Sequence, residues 1–133
     1  MSNMEVKISL NMAKERVLQS IIHAEIGSYM ATYAPSPAVL PISNIMSLTG
    51  LTKYGARKAL HELQKDGVIY YTSQGCPAII SYGECPELVY DARPPINGYA
   101  LTKEGFHTPQ WIDAYDDWNR SLAEWANGWE TEE

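Results

Sequence analysis

The stretch that decides the fold runs from Leu40 to Tyr71 and reads LPISNIMSLTGLTKYGARKALHELQKDGVIYY. Its apolar side chains recur every three or four residues, which is the spacing of the buried face of a helix. These side chains are Ile45, Leu48, Leu51, Ala56, Leu60 and Leu63. Gly50 interrupts the pattern and can adopt the left-handed conformation that ends a helix, while Thr52 can cap a second helix. The stretch therefore predicts two helices over about 43–66, joined by a tight turn, with Ser43 as the cap of the first.

The second helix of this helix-turn-helix has a basic face opposite its apolar face. The candidate DNA-contact residues are Thr52, Lys53, Tyr54, Arg57, Lys58 and His61. In a helix-turn-helix such a face enters the major groove, where lysine or arginine donates to guanine and tyrosine contacts phosphate or a thymine methyl. A solvated helix surface would produce the same cluster. Its position directly after a capped turn favours double-stranded DNA as the partner.

The residues after this helix predict a β-wing. Asp66 and Gly67 stop the helix, and the β-branched and aromatic run from Val68 to Tyr71 is typical of a strand. The segments Pro77–Ser81 and Glu87–Tyr90 predict a further hairpin, so the wing spans about 68–103. Its long insertion, 72–97, is either extra sheet or a contact surface for a protein partner.

Two parts of the chain resemble known families of bacterial regulators. The first resembles the winged-helix domain of GntR-type regulators and is carried by Leu40-Pro41, Gly50, Thr52-Lys53, Arg57, Ala59-Leu60, Leu63, Gly67 and Ile69. The second, GYALTKEG from Gly98 to Gly105, is similar to the closing wing strand of MarR- and PadR-type regulators. Both resemblances imply a winged helix that binds DNA, with the residues around Lys53 and Arg57 meeting the duplex, and they leave the subfamily unassigned.

The ends of the chain predict two more helices. A first helix is expected over about 11–33, with Asn11 as its cap, because prolines follow in Ala34-Pro-Ser-Pro. Thr108-Pro109 is typical of a helix start. We therefore expect an α+β, mainly helical fold: a winged helix-turn-helix with an elaborated β-wing over 1–108, and an additional C-terminal helix with an acidic tail over 109–133.

The C-terminal helix carries an almost entirely aromatic face. Its members are Trp111, Tyr115, Trp118, Leu122, Trp125 and Trp129. A stripe of this kind is expected to be buried, since burial of each aromatic side chain contributes on the order of 2 kcal/mol. The sequence predicts a homodimer held mainly by this helix. The alternative is that the stripe folds back on the first helix of its own chain, against Leu18, Ile22 and Tyr29.

The formal net charge of the 133-residue chain is −6. A negative charge opposes nucleic-acid binding unless the acidic residues are confined to one part of the chain. Residues 1–110 hold nine Lys/Arg and nine Asp/Glu, whereas residues 111–133 hold one arginine and seven acids. The excess of acidic residues therefore lies outside the predicted basic face of the second helix. The chain begins without a signal-peptide pattern and has no apolar run of membrane-spanning length, so the sequence predicts a cytoplasmic protein without a membrane partner.

The remaining side chains indicate no chemistry of their own. Cys76 and Cys85 are too few for a zinc site, and a disulfide is not expected in the cytoplasm. The sequence contains no phosphate-binding loop, nucleophile motif or carboxylate pair, so we expect neither an enzyme nor a cofactor or metal. The rival function is a winged-helix module, an accessory or inhibitor protein, that binds a protein through wing 72–97 or the C-terminal helix and does not bind DNA.

Overall fold

The described part of the chain is α+β and mainly helical. The computed structural model describes residues 9–29, 38–74, 77–82, 85–90 and 95–131, and the side chains of 9–29, 38–74 and 95–128. The helices are α1 (Leu10–Ser28), α2 (Ile42–Thr49), α3 (Lys53–Lys65) and α4 (Pro109–Thr131), with a short 3₁₀ helix at Gly105–His107. The strands are β1 (Ile69–Gln74), β2 (Pro77–Tyr82), β3 (Cys85–Tyr90) and β4 (Ile96–Leu101).

The hydrophobic core lies where α1 packs against α3 and the inner end of the β1–β4 sheet. Its most deeply buried apolar side chains are Val17, Ile21, Ile22, Ile45, Leu60, Ile69 and Leu101. The three-and-four spacing of the helices directs these side chains to one interior, as the sequence predicts. Because α1, α2, β1 and β4 all contribute, the orientation of α3 is set by packing on several sides.

The turn between α2 and α3 is confirmed at both of its key residues. Gly50 ends α2 in the left-handed conformation with φ 74°, and its amide donates to Met46. The Thr52 hydroxyl oxygen accepts from the Gly55 amide at 3.2 Å and caps α3. Asp66 and Gly67 end α3 as predicted, with Gly67 at φ 81°.

Two predicted helix starts are wrong by one or two residues. Ser9, not Asn11, caps α1, because its hydroxyl oxygen accepts from the Met12 amide. Pro41 occupies the cap position of α2 with its carbonyl accepting from Ile45, which places Ser43 inside the helix. The last described residue of α1 is Ser28, followed by a turn at Tyr29; the predicted extension over 30–33 lies outside the described residues.

Replacing Thr52 with alanine should lower the free energy of unfolding by about 1 kcal/mol, because the first turn of α3 loses its side-chain acceptor. The matched control is Ser43→Ala, which should change stability by less than about 0.5 kcal/mol, since Ser43 caps nothing. Urea denaturation followed by circular dichroism measures both. Equal losses in the two variants would show that the Thr52–Gly55 hydrogen bond does not stabilise α3.

The four strands form two antiparallel pairs. β1 pairs with β4 in a register that places Ile69 opposite Leu101 and Tyr71 opposite Tyr99. β2 and β3 pair with each other, as predicted for the inserted hairpin, with Tyr82 opposite Cys85. Outside these strands, Leu40 and Tyr99 form one isolated bridge and exchange backbone hydrogen bonds of 2.9 and 3.0 Å. This bridge ties the start of α2 to the sheet.

Two polar contacts hold the loops that flank the core. The Thr102 hydroxyl donates to the Gly67 carbonyl at 2.5 Å and accepts from the Gly105 amide at 3.1 Å, which joins the end of β4 to the end of α3. Glu25 of α1 is 1% exposed, and its carboxylate accepts from the Ala38 amide at 2.7 Å. The segment that leads into α2 is therefore anchored to α1.

The aromatic stripe of α4 is only partly buried within a single chain, and its predicted role in a homodimer stays a prediction. Thr108 caps the helix at the Trp111 amide, as expected, and Trp111 is 8% exposed. Tyr29 of α1 contacts both Trp111 and Trp118, with ring centroids 6.1 and 5.9 Å apart, as the fold-back alternative requires. Every side chain over 119–128 is exposed, and that of Trp129 lies outside the described residues.

Candidate nucleic-acid interface

The candidate interface is the solvent face of α3. Its opposite face is packed into the core, where Ala56, Ala59, Leu60 and Leu63 are each no more than 3% exposed. Burial of these four positions leaves the other face pointing outward, since a helix repeats every 3.6 residues. The predicted set Lys53, Tyr54, Arg57, Lys58 and His61 lines one shallow depression on that outward face.

The first turn of α3 presents polar groups toward solvent. Tyr54 is 77% exposed, and Lys53 beside it is the first helical residue. Thr52 is exposed, and although its oxygen accepts from the Gly55 amide, its hydroxyl can still donate outward. The positive end of the helix dipole lies at this turn. The geometry therefore combines side-chain and backbone positive potential at one end of α3.

The cations of this face are not ion-paired within the described part of the chain. Asp66, at the far end of α3, pairs with Lys14 of α1 at 2.7 Å. Within the described residues no carboxylate forms an ion pair with Lys53, Arg57 or Lys58. These three cations therefore remain available for an anionic partner, even though the chain as a whole is acidic.

The structure adds an aromatic pair that was not assigned to the site from the sequence. Tyr71 and Tyr99 face each other across β1 and β4, with ring centroids 5.2 Å apart at 67°. Burial and the neighbouring Tyr71 raise the pKa of Tyr99, and the Arg57 guanidinium partly offsets this rise. α3 also contacts β1, so the helix that carries the basic face and the sheet that carries this aromatic pair are neighbours.

A second surface feature lies on the α1–α2 side of the molecule. Met12, Ala24 and Leu48 form the apolar part of an open groove of about 820 Å³. Met12 is 51% and Leu48 65% exposed. Arg16 borders the groove, and its guanidinium donates to the Thr49 carbonyl at 3.4 Å. This groove was not predicted, because it forms only where α1 packs against α2, and the sequence pattern of either helix alone does not show that contact.

The cysteines and histidines form no cluster in the described residues. Cys85 lies in β3, whereas Cys76 lies outside the described residues. His23, His61 and His107 are exposed on separate elements. No group of three or more metal-ligating side chains occurs within the described ranges. The helices of these ranges also include none that is long and apolar enough to cross a membrane.

Among the six predicted contact residues, Thr52 caps α3 and the other five share its outward face. Comparison with protein-family models, with curated proteins and with solved structures found no significant match for the chain. Any functional conclusion must therefore be drawn from the chemistry and geometry of the surface itself.

Proposed function

We propose that the chain is a winged-helix transcriptional regulator, bacterial or carried by a mobile element, that binds specific double-stranded DNA sequences through α3. The observation that carries this proposal is the outward face of α3, where Lys53, Arg57 and Lys58 lie without paired carboxylates among the described residues. Such a face is suited to the phosphates and base edges of a duplex.

The size and position of α3 support major-groove docking. α3 has 13 residues and is about 20 Å long, and its first two turns carry the cations and Tyr54. Gly50 separates it from α2 by a short turn, so α2 can cross the DNA backbone while α3 enters the groove. Lys53 and Tyr54 would then lie nearest the base edges, and Arg57 and Lys58 would contact phosphates.

The two antiparallel strand pairs would act as the wing. β1 and β4 adjoin Arg57 through the Tyr71–Tyr99 pair, and β2 and β3 extend the connection between them. Placed along the duplex, the sheet would contact the backbone beside the groove that α3 occupies. The hydroxyl of Tyr71, whose side chain is 56% exposed, is suited to donating to phosphate.

Removing the cations tests this proposal. A variant with Lys53, Arg57 and Lys58 changed to alanine should bind duplex DNA roughly a hundredfold more weakly. The slope of log affinity against log salt should also fall by about two to three, because fewer counterions are released. Fluorescence anisotropy of a labelled duplex, titrated across a salt series, measures both quantities.

A matched variant removes the same charge elsewhere. Lys65, Lys103 and Arg120 are exposed cations outside the proposed contact residues, and changing all three to alanine should leave most of the affinity and slope unchanged. If both triple variants weaken binding equally, attraction is general and the α3 face is not the site. If wild type shows only weak affinity with a flat salt response, DNA binding is excluded.

A second candidate function is favoured by the groove between α1 and α2. The exposed Met12 and Leu48 give this groove the apolar character of a protein-binding surface. A winged-helix scaffold of this kind could act as an accessory or inhibitor protein without DNA. A protein that co-purifies after nuclease treatment, and is lost when Leu48 is changed to glutamate, would favour this function, provided that the DNA titrations are flat.

A further inference from the structure

The six side chains of the aromatic stripe of α4 repeat with the spacing of residues that pair two helices, and we call this row of side chains the seam. From Trp111 to Trp129 its six members are separated alternately by four and three residues. This average of 3.5 residues keeps one face of a helix against a partner helix. The first members already have such a partner in α1, because Tyr29 contacts Trp111 and Trp118. The seam continues beyond this contact.

Residues 119–128 of α4 present their part of the seam to solvent. All side chains over 119–128 are exposed, and Trp125 exposes 65% and Leu122 37% of their surface. Single exposed apolar residues are normal on a protein surface. Here the exposed residues instead continue an existing helix–helix interface at the next positions of the same repeat. This continuity indicates that the remaining partner is also a helix.

The residues that border the seam are uncharged. On either side of it lie Ile112, Ala114, Asn119, Ser121, Ala126 and Gly128. The charged residues of α4 occupy the outward positions of the repeat; they are Asp113, Asp116, Asp117, Arg120, Glu124 and Glu130. A second helix can therefore approach the seam without desolvating a charge. Two acidic α4 helices can meet there without direct like-charge contacts.

We propose that the second half of α4 packs, seam to seam, against the second half of α4 from another copy of this chain. In a dimer with two-fold symmetry, each copy contributes the same patch to the interface. An apolar and uncharged patch can pack against its own copy in this way, because it brings no like charges together. The exposed surface of Tyr115, Leu122, Trp125 and the small flanking residues is roughly 500 Å² per copy, or about 1,000 Å² per pair. This area is at the lower end for a specific interface, which is the size range of weak or transient pairs.

This inference does not depend on DNA binding, because the seam and the α3 face are separate surfaces. If both proposals hold, the dimer presents two α3 helices and matches a palindromic site. The two proposals fail independently. A monomer that binds DNA would overturn only the pairing of α4, and a dimer without affinity for DNA would overturn only the proposed function.

Sedimentation velocity of the full chain, from low to high micromolar concentration, tests the pairing. Wild type should change from monomer to dimer over this range. Trp125→Glu introduces a charge into the seam and should remain monomeric throughout. Ala123→Glu introduces the same charge at an exposed, outward position of the same helix and should dimerise as wild type does. Circular dichroism verifies that each variant is folded, and Leu122→Glu provides a second seam variant.

A further variant separates this dimer from insertion of the stripe into the groove between α1 and α2. Leu48→Glu changes that groove and leaves α4 untouched, so it should dimerise like wild type. A monomeric Leu48→Glu variant would overturn the pairing of α4 with α4. The proposal is equally overturned if wild type stays monomeric at every concentration, or if folded Trp125→Glu and Leu122→Glu dimerise as tightly as wild type.

Discussion

Replacing Trp111 with alanine should lower the free energy of unfolding by about 3–5 kcal/mol, because the change leaves a large cavity in the core. Trp111 is 8% exposed, and its ring packs against Phe106 with centroids 4.8 Å apart and against Tyr115 at 5.6 Å. Tyr29 adds an edge-on contact from α1. Loss of this ring would detach the start of α4 from the core.

Urea denaturation at a protein concentration below the range proposed for dimerisation measures this loss. The control is Trp125→Ala, which makes the same substitution on the same face of α4 at a position 65% exposed. We expect it to change monomer stability by less than about 0.5 kcal/mol. Similar losses at the two positions would contradict the difference in burial between the two halves of α4.

Replacing Gly98 with alanine should lower the free energy of unfolding by about 2–4 kcal/mol, because an added methyl group would overlap the carbonyl of Leu40. That carbonyl accepts from the Tyr99 amide, and Leu40 donates back to Tyr99. Relief of the overlap therefore requires loss of the bridge that holds the start of α2 against β4. The variant should also bind DNA more weakly, since α2 positions α3.

The matched control for this variant is Gly27→Ala in α1. An added methyl group at Gly27 meets no atom within 4 Å, and alanine is the better helix former by up to about 1 kcal/mol. We expect this variant to be as stable as wild type or more stable. Thermal or urea denaturation distinguishes the two. A Gly98→Ala variant as stable as Gly27→Ala would mean that α2 and β4 move apart without cost.

Local chemistry explains why the turn between α2 and α3 could be predicted. A glycine that ends one helix and a threonine that caps the next act within a few residues of each other, so their effect is visible in sequence. The start of α4 at Thr108-Pro109 is predictable for the same reason. Ser9 and Pro41 were missed because several neighbouring residues could serve as caps, and the choice among them depends on how the chain enters the helix.

The full candidate surface could not be predicted, because its parts are distant in sequence. Tyr71 and Tyr99 meet only through the pairing of β1 with β4. Their proximity to Arg57 depends in turn on how that sheet packs against α3. The anchoring of Ala38 by the buried Glu25 is likewise a contact between separate elements.

The helices, their apolar faces and the six residues proposed to contact DNA could be read from the sequence, because helix periodicity and capping act over short distances. Tertiary structure decided what covers each face. Periodicity marks the whole stripe from Trp111 to Trp129 as apolar, but only the tertiary structure shows that Tyr29 contacts Trp111 while Leu122 and Trp125 are exposed. Burial of each side chain depends on which elements pack against it, and no local sequence pattern encodes those contacts.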